Sequence, residues 1–200
     1  MGVIKTALEI ALEKTETVKS DKASIDQFEA KQRGKKIANK FLDTGVDLAD
    51  EIRKTKDEQR DSLKQGIFDV LLSQLALPAG KDGETKMNVL GKGLQAVIDN
   101  SRFSAMYKQL LQLFSRYLQE TAQYEQAIRQ QYAPRLRQKE EELSHRLGKE
   151  IHIDPFQDPE FIAFYNQHMN ALKGNYEPIL EQAKEEARQL FNEQLTRNRK

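Results

Sequence analysis

Apolar residues recur along this chain at the spacing of a helix surface, which repeats every 3.6 residues. The first run is Ile4, Ala7, Leu8, Ala11, Leu12, Thr15 and Val18, and it predicts an amphipathic helix over 3–18 that ends at Ser20-Asp21. Ser24 is a good N-cap for a second helix, whose buried side is marked by Ile25, Phe28, Ile37 and Phe41. Gly34 lies inside that helix and marks either a close crossing or a break. In "DTGVD" (43–47), Gly45 ends one helix and Asp47 caps the next. A third helix carries Leu48, Ile52, Leu63, Ile67, Phe68, Leu71 and Leu75. Its middle, 53–62, holds no apolar side chain and must be solvated or bridge two regions. Pro78 to Thr85 is a loop, and a short helix follows it.

The next segment is the most regular. Phe103, Tyr107, Leu110, Phe114, Tyr117, Thr121, Tyr124 and Ile128 follow one another at alternating steps of four and three. This is the a/d seam of a left-handed coiled coil. Beyond Ile128 the seam passes to Tyr132, Leu136, Leu143 and Leu147, and Pro134 should kink or interrupt the rod. If unbroken from Ser101 to Leu147, the helix is about 70 Å long. Gly148 caps it, and a last helix begins at Asp158-Pro159-Glu160. Its seam runs through Phe161, Tyr165, His168, Leu172, Tyr176 and Ile179, with a bend predicted by Gly174-Asn175 and Pro178.

Two long seams joined by a short connector read as an antiparallel helical hairpin. The expected fold is therefore all-α: an elongated, coiled-coil-like hairpin with additional N-terminal helices. It forms one domain over 1–200, with N-terminal helices in 1–45 as a possible arm, middle helices in 47–100, and the hairpin in 101–197 with its corner at 148–158. The seam is longer than one hairpin needs, which points to a homodimer. Phe103, Tyr107, Leu110, Phe114, Tyr117, Tyr124 and Ile128 are the candidate interaction residues on it.

Composition narrows the classes. Only 38% of residues are hydrophobic while 32% are charged, which suits long helices that bury a narrow stripe. Lys and Arg total 32 against 31 Asp and Glu, and this balance argues against a dedicated nucleic-acid binder. With no cysteine, disulfides, thiolate zinc sites and cysteine nucleophiles are excluded, and a cytoplasmic protein is expected. Met1 to Thr6 fits the short N-myristoylation pattern, but that pattern acts only in hosts with the transferase and Gly2 is common for mundane reasons, so acylation is not expected.

One stretch has a local charge bias. "KQRGKKIANK" places Lys31, Arg33, Lys35, Lys36 and Lys40 together without an acid. It reads as a solvated helix face, with a phosphate, lipid-headgroup or anionic-polymer patch as the alternative. Gly91-Lys92-Gly93 fails the phosphate-loop pattern, because Lys86 stands at the first glycine position and Gly93 at the Ser/Thr position. Small residues there allow close helix contact instead.

Two further places could carry chemistry. Glu142 and His145 match the E-x-x-H element of di-iron bundles, but only one such element is present. His152, Asp154, Asp158 and Glu160 gather in "IHIDPFQDPEF". Their spacing does not fit a calcium loop. A structural role explains more of them: Asp154 initiates a turn, Phe156 and Phe161 staple the corner, and Asp158 caps a helix at about 1 kcal/mol.

The segment "TALEIALEKTETVKSDKASIDQFEAKQRGKKIANKF" (6–41) resembles the start of an uncharacterised bacterial, spirochaete-type family of all-helical proteins. The resemblance implies a bacterial cytoplasmic protein and assigns no residue a role. The expectation is a non-catalytic scaffold, adaptor or protein-interaction module, with no cofactor and with unidentified protein partners. The alternatives are peripheral binding of a membrane surface or anionic polymer through 31–40, and a helical metal protein or enzyme near His145 and His152.

Overall fold

The computed structural model describes residues 7–80 and 82–198, with side chains over 22–80 and 82–197. The Met1–Thr6 acylation pattern and the last two residues of the basic tail lie outside them. Among the described residues there are six α-helices, one 3-10 turn and no strand. The helices are α1 (Ala7–Thr44), α2 (Leu48–Arg53), α3 (Asp57–Ser73), α4 (Gly83–Ile98), α5 (Ser101–Leu147) and α6 (Pro159–Asn198). The protein is all-α. Its contacts gather into two compact units that are not consecutive blocks of sequence. Among the described residues, one comprises 7–75, 89–103 and 188–198, and the other 76–80, 82–88 and 104–187.

In the first unit α1 and α3 run antiparallel, since Lys31 meets Asp69 while Gly34 meets Leu63. Two glycines set this crossing. A Cβ on Gly34 would run into the Leu63 carbonyl oxygen, and one on Gly66 would run into the Lys31 carbonyl oxygen. Bare backbone on both sides lets the helices approach more closely than side chains permit. Gly34 thus marks a crossing and not a break. Around it Ile37, Ala38, Leu63, Ile67 and Leu71 are buried. Gly93 lies against Phe41 and Leu71, the close contact expected of the small residues in α4. Phe68 stacks on Phe191 with ring centroids 4.2 Å apart.

Several expected boundaries are corrected. No break occurs at Ser20-Asp21 or Ser24, because α1 is continuous. Residues 18–26 contain neither glycine nor proline, so nothing there forces the backbone out of the helix. The expected third helix is two, parted at Lys54–Lys56. Asp47 caps α2 as expected, its side chain accepting from the Ala49 and Asp50 amides. The Arg60 side chain then donates to the carbonyls of Ile52, which also accepts from the Thr55 amide, and of Thr55, tying the start of α3 to the turn after α2. Residues 54–56 therefore form a turn closed by a polar side chain, and 57–62 are the first turns of α3 rather than the middle of one solvated rod.

Both prolines are accommodated. α5 and α6 continue as helix through Pro134 and Pro178. Each proline is exposed, so water can serve the carbonyl that loses its helical partner. In the second unit α5 and α6 run antiparallel. Tyr117 packs on Tyr176 at 5.0 Å, Tyr165 donates to Glu125, and Tyr132 packs on Phe161 at 5.2 Å. As the α5 number rises the α6 number falls. The core here joins Tyr117, Ile128, Tyr132, Phe161, Met169, Leu172 and Tyr176.

Candidate functional site

The corner between α5 and α6 carries the densest polar network of the second unit. Gly148 closes α5 in the left-handed conformation (φ 67), its amide donating to Ser144 O at 2.9 Å. The chain then runs back over the end of α5 and is tied to it by side chains. The Ile151 amide donates to Ser144 Oγ at 3.0 Å, and the Ile153 amide to Glu140 Oε1 at 2.9 Å. Asp154 accepts from the Phe156 amide at 3.0 Å and starts the 3-10 turn Pro155–Gln157. Phe156 packs on Phe161 and Tyr165, with the Arg129 guanidinium 5.2 Å above its ring. The expected aromatic staple is present.

Asp158 is the centre of the corner. It accepts from the Glu160 amide at 3.1 Å, capping α6 as expected. It also receives Lys139 Nζ at 2.8 and 3.0 Å and the Tyr132 hydroxyl at 2.8 Å. Lys139 reaches Glu160 as well, at 2.9 Å. Asp158 is buried, with 6% of its side chain exposed. Burial pushes its carboxyl up, but hydrogen bonds from Lys139, Tyr132 and the Glu160 amide outweigh this and hold it below the usual range. The same bonds raise Lys139, so the pair stays ionised at neutral pH. A groove of about 480 Å³ borders the network, lined by Lys139, Glu142, Leu143, Arg146, Ile153 and Gln157 among others.

The histidines stand outside this network. His152 is 91% exposed, with Nδ1 3.5 Å from Glu140 Oε1. His145 and Glu142 are both exposed, and Glu142 accepts from Gln138 at 3.1 Å. Among the described residues no group of three or more His, Asp or Glu side chains is arranged to hold a metal ion. His152→Ala should leave the melting temperature within about 4 °C of wild type, since exposed ion pairs contribute at most about 1 kcal/mol. A drop comparable with loss of Asp158 would place the histidine inside the network.

The seam residues lie mostly within the chain's own core. Phe103, Tyr107, Leu110, Phe114, Tyr117 and Ile128 are all buried. Tyr107 donates to Met87 O at 2.6 Å, and burial pushes its hydroxyl far up. Tyr165, half-buried and bonded to Glu125 at 2.7 Å, is pushed up to about 12. Tyr124 is 42% exposed despite its place in the repeat. A straight helix drifts about 20° per heptad against a 3.5-residue repeat. Three heptads after Phe103 this carries Tyr124 about 60° to the edge of the buried stripe, while Ile128 and Tyr132 return to its centre.

The basic segment is partly engaged within the chain. Lys31 pairs with Asp69 at 2.9 Å. Arg33 donates to the buried Thr55 hydroxyl at 3.2 Å and lies 4.0 Å from Glu51. Lys35 is half-buried, and Lys36 and Lys40 are exposed. Lys139, Tyr132, Glu140 and Ser144 did not stand out in the sequence as corner residues. A signal was available: folding the chain about Leu147 brings 144 towards 151, 140 towards 153 and 139 towards 158.

The chain is thus an all-α protein whose strongest polar constellation fastens a helical corner. A family model described as a family of unknown function (DUF6657) matches residues 49–189, and the chain belongs to that family. The matched range includes the corner and leaves α1 outside. No curated protein and no solved structure matches the chain. Among the described residues, no helix is long and apolar enough to cross a membrane.

Proposed function

We propose that the protein is a non-catalytic scaffold or adaptor that works by binding protein chains, and that α1 carries its contact surface. The observation that supports this is the exposure of Ile25 (58%) and Phe28 (63%), one turn apart on α1. Burying two such side chains against a partner would contribute roughly 1.5–3 kcal/mol each. The polar corner fits a fastening role, because its charges are directed at one another. A bacterial, cytoplasmic setting belongs to the same reading and is supported by the resemblance of residues 6–41.

Full-length protein immobilised by its C-terminus should retain a specific partner from a lysate of the native host, and the purified partner should rebind. Phe28→Asp should abolish that binding with the melting temperature unchanged, because the side chain touches little of its own chain. Retention by the variant would remove α1 from the reading. Turnover of a substrate by the purified protein would overturn the scaffold assignment itself.

A further inference from the structure

We propose that a cleft between α5 and α6 receives an amphipathic helix of a partner protein, one with an apolar face and a basic flank. This is a second contact surface beside α1, and its role rests on the scaffold reading. The cleft holds about 300 Å³. Met106, Leu110 and Leu113 line it from α5, and Ile179, Ala183 and Glu186 line it from α6. All of them belong to the second compact unit. Leu110 is buried, and Leu113 packs against the core of that unit, so the floor is fixed. The walls are not closed. Met106, Leu113 and Ala183 are half-buried, and Ile179 is 46% exposed although it stands on the α6 seam.

The neighbouring side of α5 shows what covers such a face. Tyr107 follows Met106 and lies about 100° further round the helix. It is buried, and its hydroxyl donates to Met87 O of α4. A helix of the chain itself therefore closes α5 on the Tyr107 side, while the apolar residues on the Met106 side stay half-exposed. The cleft runs from Met106 to Leu113 and from Ile179 to Glu186. At 1.5 Å per residue each wall is about 10 Å long, or two helical turns. Two turns of a third helix would set side chains at i, i+3 or i+4, and i+7 into it.

Charge selects the flank of that helix. Among the described residues, Glu186 is the one charged side chain in the lining. Outward round α6, past Gln182, come Glu185 and Glu181, and the nearby Lys184 is taken up by Glu181 at 2.7 Å. On α5 the rim is Gln109, and Lys108 stands two residues from Met106, on the far side of the helix. The border is thus neutral on α5 and acidic on α6. A basic residue on the partner's α6-facing flank meets Glu186, and an acidic one is repelled.

Full-length protein should bind a synthetic amphipathic helix of about 18 residues, with a leucine face and a lysine flank, one per chain and with a micromolar Kd by fluorescence anisotropy. A copy with glutamate in place of each lysine should bind at least about tenfold more weakly. Ile179→Gln should weaken the lysine peptide by about tenfold with the melting temperature unchanged, because it removes apolar surface from the cleft and little from the fold. Glu186→Lys should invert the preference between the two peptides. Phe28→Asp should bind the lysine peptide as wild type does. Equal affinity for the two peptides, binding unaltered by Ile179→Gln, or loss of the peptide in Phe28→Asp would overturn the cleft as the site. No binding of the peptide, with Phe28→Asp still losing a captured partner, would overturn this surface and leave the α1 reading standing.

Discussion

Gly66→Ala should lower the stability of the protein by about 3 kcal/mol, although alanine is the better helix former by about 1 kcal/mol. The added methyl meets the Lys31 carbonyl oxygen, which is helix backbone and has no rotamer to escape into. The only relief is to move α1 away from α3. That loosens contacts around Ile37, Ala38, Leu63 and Ile67, all buried at the crossing. Gly34→Ala should do the same from the other side, against the Leu63 carbonyl. Gly174 provides the control, since nothing lies within 4 Å of a Cβ built there. Gly174→Ala should stabilise by up to about 1 kcal/mol. Urea unfolding measures all three. Equal stability of Gly66→Ala and wild type would mean that the helices do not cross at these glycines.

The second large effect is expected at the corner. Asp158→Ala should cost roughly 2–3 kcal/mol and lower the melting temperature by roughly 4–12 °C. A lost N-cap accounts for about 1 kcal/mol of this. The remainder comes from the Tyr132 hydroxyl and Lys139 Nζ, which lose a buried acceptor. Acid should weaken the same contact. The folded carboxyl lies below the ordinary aspartate value of about 3.9, so its stabilisation is fully present above that value. It is lost as pH falls through the depressed folded value. Asp158→Asn should therefore be less stable than wild type at neutral pH, with the gap closing in acid. A gap that stayed constant down to pH ~2 would show that ionisation of Asp158 contributes nothing.

Much of the helical layout was readable from local chemistry. Gly45 and Gly148 stand at helix ends because a left-handed residue there frees the backbone to turn. Asp47 and Asp158 stand at helix starts because a carboxylate satisfies open amides. Pro159 begins α6 because the first helical position needs no amide proton. The unsuccessful boundaries were those argued from weak signals. A serine and an aspartate at 20–21 tolerate helix, and a single proline on a solvated face does not end one.

The candidate site was legible in part. Its turn residues were visible, because Asp154 and Asp158 act on amides two positions away. The partners of Asp158 were not, since Lys139 is 19 residues and Tyr132 26 residues distant. A lysine among exposed charges on a long helix carries no local mark of being paired. Arg33 and Lys31 read as part of a solvated face, but for the same reason their particular partners, Thr55 and Asp69, carried no local mark.

The sequence by itself determined the class of the fold, several helix ends and most of the stripe that α5 buries. These follow from backbone sterics, open amides and a 3.6-residue period, all of which act over a few residues. But it placed Ile25 and Phe28 on the buried side of α1 and Ile179 on the seam of α6, and all three are exposed. Only the tertiary structure decided that Gly34 and Gly66 share one crossing, that Arg60 closes the turn after α2, and that Asp158 joins Lys139 and Tyr132. Such pairings depend on how distant segments meet in space, and solvent exclusion there gives an ordinary surface charge a fixed partner.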